Sequence, residues 1–267
     1  MNYFEKLIII RGGGDLASGV AVRLYNAGYK ILMLETTTPS AIRRSVSFSQ
    51  AVYDGKAKVE GIEAVLLDNG VEPTPEQIPL LVDPSMNILS EVKPLALIDA
   101  VIAKRNFGIT KDLCDIVIAL GPGFEAGKDC HAVIETKRGH NLGRVLYEGS
   151  AAPDSGVPGI ISGIGKERVL HAENAGVLTV IKDIGDTVKK GDHIATIDGT
   201  PVKASIDGLI RGMIRSGYKV FKGMKIADID PRVEEFNNCF TVSDKARALG
   251  GAVLEAILHL RSKNDRS

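Results

Sequence analysis

Charge of one sign, cysteine pairs and long apolar runs are all scarce in this sequence, and each scarcity argues against a class of function. Thirty-three Lys+Arg balance 33 Asp+Glu, so composition gives no support to a broadly basic nucleic-acid surface or to adsorption on an anionic membrane. No apolar stretch approaches the roughly 18 residues of a membrane span. The opening MNYFEKLIII puts Glu5 and Lys6 ahead of a short strand-like run, unlike a signal-peptide core. A cytoplasmic protein is expected. Cys114, Cys130 and Cys239 are odd in number and lack CxxC spacing, which argues against both a disulfide framework and a zinc knuckle. GxSxG, Walker lysine and HExxH patterns are absent, and the five histidines form no cluster at ligand spacing; no metal site is expected.

What is present is a hydrophobic content of 44% and 29 glycines in 267 residues, a glycine excess over the usual ~7% that falls in discrete clusters. With roughly 100–200 residues per domain, the length suggests two units. The first opens LIII-RGGGDLASG-VAVRLYNAGY-KILMLE, a buried strand, a glycine turn, a helix with Val20, Leu24 and Ala27 on one face, and a second strand. Further strands are predicted at Ala64 to Leu67, Leu80 to Val82, Leu95 to Val101 and Ile116 to Leu120, and a helix from Pro39 to Val52. The pattern predicts an α/β domain over residues 1–166, a Rossmann-like, mostly parallel sheet covered on both faces.

Beyond residue 166 the chain repeats itself. GVLTVIKDIGDTVKKGDHIATID, starting at Gly176, aligns without gaps on GLIRGMIRSGYKVFKGMKIADID, starting at Gly208, with nine of 23 positions identical at an offset of 32. Each copy reads as strand, glycine turn, short strand, glycine turn, strand, and one copy alone cannot bury its apolar face. Residues 167–232 are therefore expected to form an all-β domain. Over 233–267, Ser243 is placed to cap a helix in which Ala246, Leu249, Val253, Ala256, Ile257 and Leu260 form one apolar stripe. That stripe suits either docking on a domain or a homo-oligomer interface.

Two motifs carry chemistry. Gly12, Gly14 and Ala17, with Gly13 between them, give a GxGxxA spacing between strand and helix. There the glycines permit a tight turn and close approach to a pyrophosphate, and helix N-terminal amides face the anion. Glu35 ends the next strand, placed for a ribose diol and against a 2′-phosphate. Asp15 opposes an anion unless it points away, and a turn that binds nothing is the plain alternative. The second motif is a strand followed by Gly121, Gly123 and Gly127, then Cys130 and His131. A loop at a strand's carboxyl end suits a ligand crevice, and an imidazolium beside Cys130 would favour its thiolate. Neighbours on a strand point to opposite faces, however, and a buried, inert Cys130 is the competing reading. The Lys137, Arg138 and His140 turn is either plain surface or an anion contact.

RGGGDLASGVAVRLYNAGY, ALGPGFEAGKDCHAVIETKRGHNLGRV and GTPVKASIDGLIRGMIRSGYKVFKGMKIADIDPR resemble the selenium-dependent molybdenum hydroxylase system proteins of YqeB type, over nearly the whole chain. The resemblance implies an accessory role in maturing such a hydroxylase and distant kinship with xanthine dehydrogenase accessory proteins; it supplies no reaction, so whether the chain is an enzyme stays open. The implied ligand is a dinucleotide, NAD-like or the molybdopterin dinucleotide, and the implied partner is the hydroxylase or its cofactor. The repeat resembles the biotinyl/lipoyl barrel-sandwich hybrid. Lys203 nonetheless lies five residues past Asp198 in the return strand, so no biotin or lipoate is expected. An NAD-dependent oxidoreductase, using Cys130, His131 or His140 for proton transfer, and a ligand-free docking protein are the alternatives.

Overall fold

The structure is a computed structural model that describes residues 6–68, 72–154, 156 and 159–264. The chain divides into two compact units, one of residues 1–39, 47–155 and 242–267, the other of residues 40–46 and 156–241. The terminal helix thus belongs to the first unit, and a seven-residue segment from the first half of the chain belongs to the second.

The first unit holds nine strands: β1 (Leu7–Arg11), β2 (Lys30–Glu35), β3 (Lys56–Val59), β4 (Ile62–Leu66), β5 (Ile78–Val82), β6 (Ala96–Asp99), β7 (Val117–Leu120), β8 (Ala132–Ile134) and β9 (Val145–Leu146). Their order is β3-β4-β5-β2-β1-β6-β7-β8-β9. Neighbours from β4 to β8 pair parallel. Both edges pair antiparallel, β3 with β4 and β8 with β9. All residues of β6, β7 and β8 are buried, which is why they read as unbroken apolar runs.

Three helices are present among the described residues: α1 (Asp15–Asn26), α2 (Ala51–Asp54) and α3 (Asp244–Asn264). The fold-class expectation is corrected here. The sheet is mixed, with hairpin-paired edges, and of the connections between its strands only the β1–β2 link carries a full helix among the described residues. The other links are single helical turns or irregular chain, so a Rossmann-like sheet layered with helices on both faces is not what this sequence builds.

The helix expected from Pro39 to Val52 breaks into 3-10 turns at Arg44–Val46 and Phe48–Gln50 before α2. Bonds from outside replace the i→i−4 ladder. Phe48 N–H donates to Ser18 Oγ at 2.8 Å, and Ser49 N–H donates to the Gly13 carbonyl at 2.8 Å. Within the second unit, Met213 N–H donates to the Ile42 carbonyl at 2.8 Å, and Arg44 Nε donates to the Met213 carbonyl at 2.9 Å.

The second unit comprises β10 (Val169–His171), β11 (Gly176–Val180), β12 (Thr187–Val188), β13 (His193–Ile197), β14 (Thr200–Lys203), β15 (Gly208–Met213), β16 (Lys219–Val220) and β17 (Lys225–Asp230). Two antiparallel sheets form, β10-β17-β15-β12 and β14-β13-β11-β16. The copies trade their short middle strands: β12 of the first pairs with β15 of the second, and β16 of the second pairs with β11 of the first. The barrel-sandwich expectation is corrected to these two four-stranded sheets, each extended by a strand from outside the aligned repeat. Lys203 is an exposed end residue of β14, not a hairpin tip; the tip is Asp198-Gly199, both with positive φ.

Ser243 caps α3, accepting the Ala246 N–H at 3.2 Å. Its stripe residues Ala246, Leu249, Val253, Ala256 and Ile257 are buried where α3 packs on α1, β8 and β9. The stripe is therefore covered inside its own unit, and the expectation that it forms a homo-oligomer face is withdrawn. No helix among the described residues is long and apolar enough to cross a membrane.

Candidate functional site

The parallel middle of the sheet ends, at its carboxyl edge, in polar residues. Arg11, Glu35 and Asp99 end β1, β2 and β6, and Asp83, Gly121 and Glu135 follow β5, β7 and β8. Between β2 and β6 the chain leaves β1 in both topological directions, and at such a switch point the loops diverge and leave a crevice. The Gly12–Gly14 turn occupies that point.

Sequence spacing placed Glu35 near this turn, and the structure joins them. Glu35 Oε2 accepts the Gly13 N–H at 2.8 Å and Oε1 accepts the Thr36 N–H at 2.7 Å. The carboxylate fixes the loop from which α1 starts. Ser18 completes the brace, donating to the Gly13 carbonyl at 3.1 Å.

The glycines divide by what surrounds them. A side chain at Gly12, where φ is +98°, would meet the Ala100 carbonyl, and one at Gly13 would come 2.9 Å from the Ser49 backbone nitrogen. Gly123 similarly faces the Arg105 backbone at 2.7 Å, and Gly121 faces Thr136 Oγ1 at 2.9 Å. Those four serve the protein's own close packing. Gly14, like Gly127 of the second motif, has nothing within 4 Å of where its Cβ would lie, and no side chain caps the helix that Gly14 begins. Ala17 is buried, 1% exposed, one turn into α1.

Beneath the turn, Arg11 donates to Asp99 Oδ2 at 3.1 Å and to the Phe107 and Pro84 carbonyls at 3.0 Å. Burial pushes the Asp99 carboxyl up despite the Arg11 charge beside it. This ion pair ties β1 to β6 and shapes the crevice floor.

The sequence reading missed Lys245. Side chains at Gly19 and Gly250 would strike Ala246 and Arg23 respectively, so α1 and α3 run parallel and their N-termini lie at the same edge. Lys245 is thereby brought beside Asp15, Glu135 and Asp154. Burial, then the Arg138 charge, pull its ammonium below the usual lysine range, while the three carboxylates act the other way. Asp15, which argued against an anion, has this cation as its counterweight. No local sequence signal could find Lys245, because its position depends on the pairing of helices more than 200 residues apart. Arg138 is bidentate to Asp244 at 2.6 and 2.8 Å, which makes it a clamp on α3; Lys137 offers its N–H to Glu135 at 2.7 Å.

Cys130 and His131 are elsewhere. The loop leaves β7 at Gly121 on the carboxyl edge and returns to the start of β8, so His131 lies level with Val117, about 13 Å away at ~3.3 Å per residue. His131 N–H donates to the Val117 carbonyl at 2.8 Å, and its Nδ1 accepts the Val117 N–H at 3.0 Å. Cys130 is 0% exposed and its Sγ points to the Ala132 carbonyl at 3.3 Å. Burial, then Asp129, push its thiol up to about 12. The expectation of a catalytic thiolate paired with His131 in the carboxyl-edge crevice is therefore corrected to a core thiol at the opposite edge. No metal-holding group of His, Cys, Asp or Glu occurs among the described residues.

No family model matches the chain. It is 51% identical over 261 residues, 96% of its length, to YqeB of Escherichia coli strain K12, an uncharacterized protein. The match takes in 48% of YqeB, so the chain spans about half the length of the curated relative it matches. Kinship with YqeB over that half is supported; a role is not. Among solved structures, an aspartoacylase family protein of Mesorhizobium loti aligns at a TM-score of 0.30 with 12% identity over 85% of both chains. A succinylglutamate desuccinylase from Silicibacter aligns at 0.25 with 11% identity over 84% of both. Likenesses that weak assign neither fold nor activity, and the corrected fold class rests on strand order and pairing.

Proposed function

We propose that this chain binds an anionic dinucleotide, NAD-like or the molybdopterin dinucleotide, at the start of α1, and that it does so as an accessory in maturing a selenium-dependent molybdenum hydroxylase. The observation that carries the binding site is the combination of open space at Gly14 with a helix start that no side chain caps. A pyrophosphate suits such a start, since its amides point outward and the helix dipole favours negative charge. Lys245 supplies a half-buried cation at the same edge.

Gly14 would face the pyrophosphate, and the small, buried Ala17 lets α1 pack closely behind it. Gly12, Gly13, Gly121 and Gly123 act as walls, held by packing. A carboxylate has about four acceptor sites, so Glu35 retains capacity for a ribose hydroxyl while it holds Gly13 and Thr36. The accessory role comes from the sequence resemblance alone. Against the oxidoreductase alternative, Cys130 and His131 are a strand length from the crevice, and proton transfer demands hydrogen-bond reach; His140, in the loop that follows β8 at the carboxyl edge, is the one candidate left to it.

Calorimetry with NAD, NADP and a molybdopterin dinucleotide tests the proposal. Wild type should bind the pterin dinucleotide or NAD in preference to NADP, and Gly14→Val should lose that binding while unfolding at the wild-type temperature. Absence of binding by wild type at millimolar ligand removes the site. Normal hydroxylase maturation in cells carrying Gly14→Val removes the accessory role even if the ligand binds.

A further inference from the structure

We propose that the amino edge of the same sheet carries a second, separate binding site, for a small organic carboxylate, organised around His131. Two cavities of about 520 and 350 Å³ share Lys111, Asp112 and His131 in their walls and so adjoin across that trio. Both lie within the first unit, at the starts of β6, β7 and β8. Their volumes are in the range of small-molecule sites.

The His131 ring is a preorganised donor. Because Nδ1 accepts the Val117 N–H at 3.0 Å, a neutral ring must carry its proton on Nε2. Burial, then the Lys111 charge, lower its basicity against the opposing pull of Asp112 and Asp115, which favours the neutral ring. The backbone bonds to Val117 on both sides of the residue fix its orientation. With Nδ1 occupied by the sheet, the edge left to line the cavities is the one bearing Nε2–H.

The charges around this donor select the ligand. Lys93 and Lys111 are offset by Asp112 and Asp115 in the larger cavity, and Lys263 enters the smaller one, leaving one net positive charge across the two. A monoanion is matched; a phosphate dianion leaves one negative charge unbalanced. Leu89, Val92 and Leu113 line the larger cavity and suit an apolar body behind the charged head. A carboxylate accepting from His131 Nε2–H and from the Lys111 ammonium, its apolar portion on the leucines and valine, satisfies all three features. Cys114 takes no part, because its Sγ is turned to the Pro94 carbonyl at 3.2 Å.

The test uses benzoate as probe, with benzamide and inorganic phosphate as controls, and reads the histidine ring nitrogens by NMR on the full chain. The His131 ring should be found as the Nε2–H tautomer and should shift saturably with benzoate. Benzamide and phosphate should bind at least about tenfold more weakly, the scale of one charge-assisted contact. His131→Asn, whose Oδ1 can still accept the Val117 N–H, should weaken benzoate about tenfold. Lys111 is exposed, so Lys111→Met provides a variant that folds whatever His131→Asn does, and it should weaken benzoate and reduce its salt dependence. An Nδ1–H tautomer, no saturation below about 10 mM benzoate, equal binding of benzamide or phosphate, or full affinity in Lys111→Met would each overturn the proposal.

Discussion

Glycine clusters punctuate both units, but they mean different things in each. In the repeat, Gly176 and Gly208 occupy equivalent positions, with φ of +153° and +155°, and each starts a strand that pairs with the other copy's short strand. There the sequence identity maps onto structure one position at a time. At the carboxyl edge of the mixed sheet, Gly12, Gly13 and Gly14 are adjacent and look alike in sequence, yet two are closed in by the protein's own backbone and one opens outward. A glycine motif therefore specifies close approach without saying whether the approaching group is ligand or chain. The repeat escapes this ambiguity because both partners of each contact are themselves repeated.

The sharpest break of that comparison is Gly208→Val. Its side chain would collide with the Asp230 carbonyl backbone and with Ile229 Cγ2 at 2.9 Å, neither able to yield without moving β17. A loss of about 3 kcal/mol or more is expected in denaturant unfolding. Gly13→Ala meets the Ser49 backbone at 2.9 Å and should cost about 2 kcal/mol. The equivalent repeat substitution, Gly176→Ala, meets the exposed Asp198 carboxylate, which can swing away, and the buried Ile197 Cγ2 at 2.8 Å, which cannot. A cost of about 1–2 kcal/mol is expected, and equality with an alanine at Gly208 would show that the two copies are energetically as well as geometrically equivalent. Gly14→Ala should change stability by no more than about 0.5 kcal/mol, since φ of −65° and open space suit any residue.

Cys130 gives a pH-dependent check on the other edge. Its folded pKa is raised, to about 12 from an ordinary value of 9.0, so the buried neutral thiol contributes stability that is fully present below about 9 and is lost as pH rises toward 12. Alkylation of the native protein at pH 8 should track global unfolding. Rapid modification without unfolding would return Cys130 to the list of reactive groups.

Much of the sheet was readable. The runs ending at Leu34, Val82 and Leu120 all became strands, because burial on both faces leaves an unbroken apolar stretch that no surface helix would show. The strands β3 and β9 were missed, since edge strands exposed on one side carry little apolar signal. The segment 39–52 misled because the N–H groups of Phe48 and Ser49 are bonded to Ser18 and Gly13, partners that no local pattern reveals.

By itself the sequence determined the central strands, the internal repeat, and the meeting of Glu35 with the glycine turn, all of which depend on apolar pattern or short separations along the chain. Tertiary structure alone decided that Lys245 joins Asp15 at that edge, because only the parallel packing of α1 and α3 brings their N-termini together. It also decided that Cys130 and His131 do not, because a loop that starts at one end of a parallel strand must reach the other end before the next can begin.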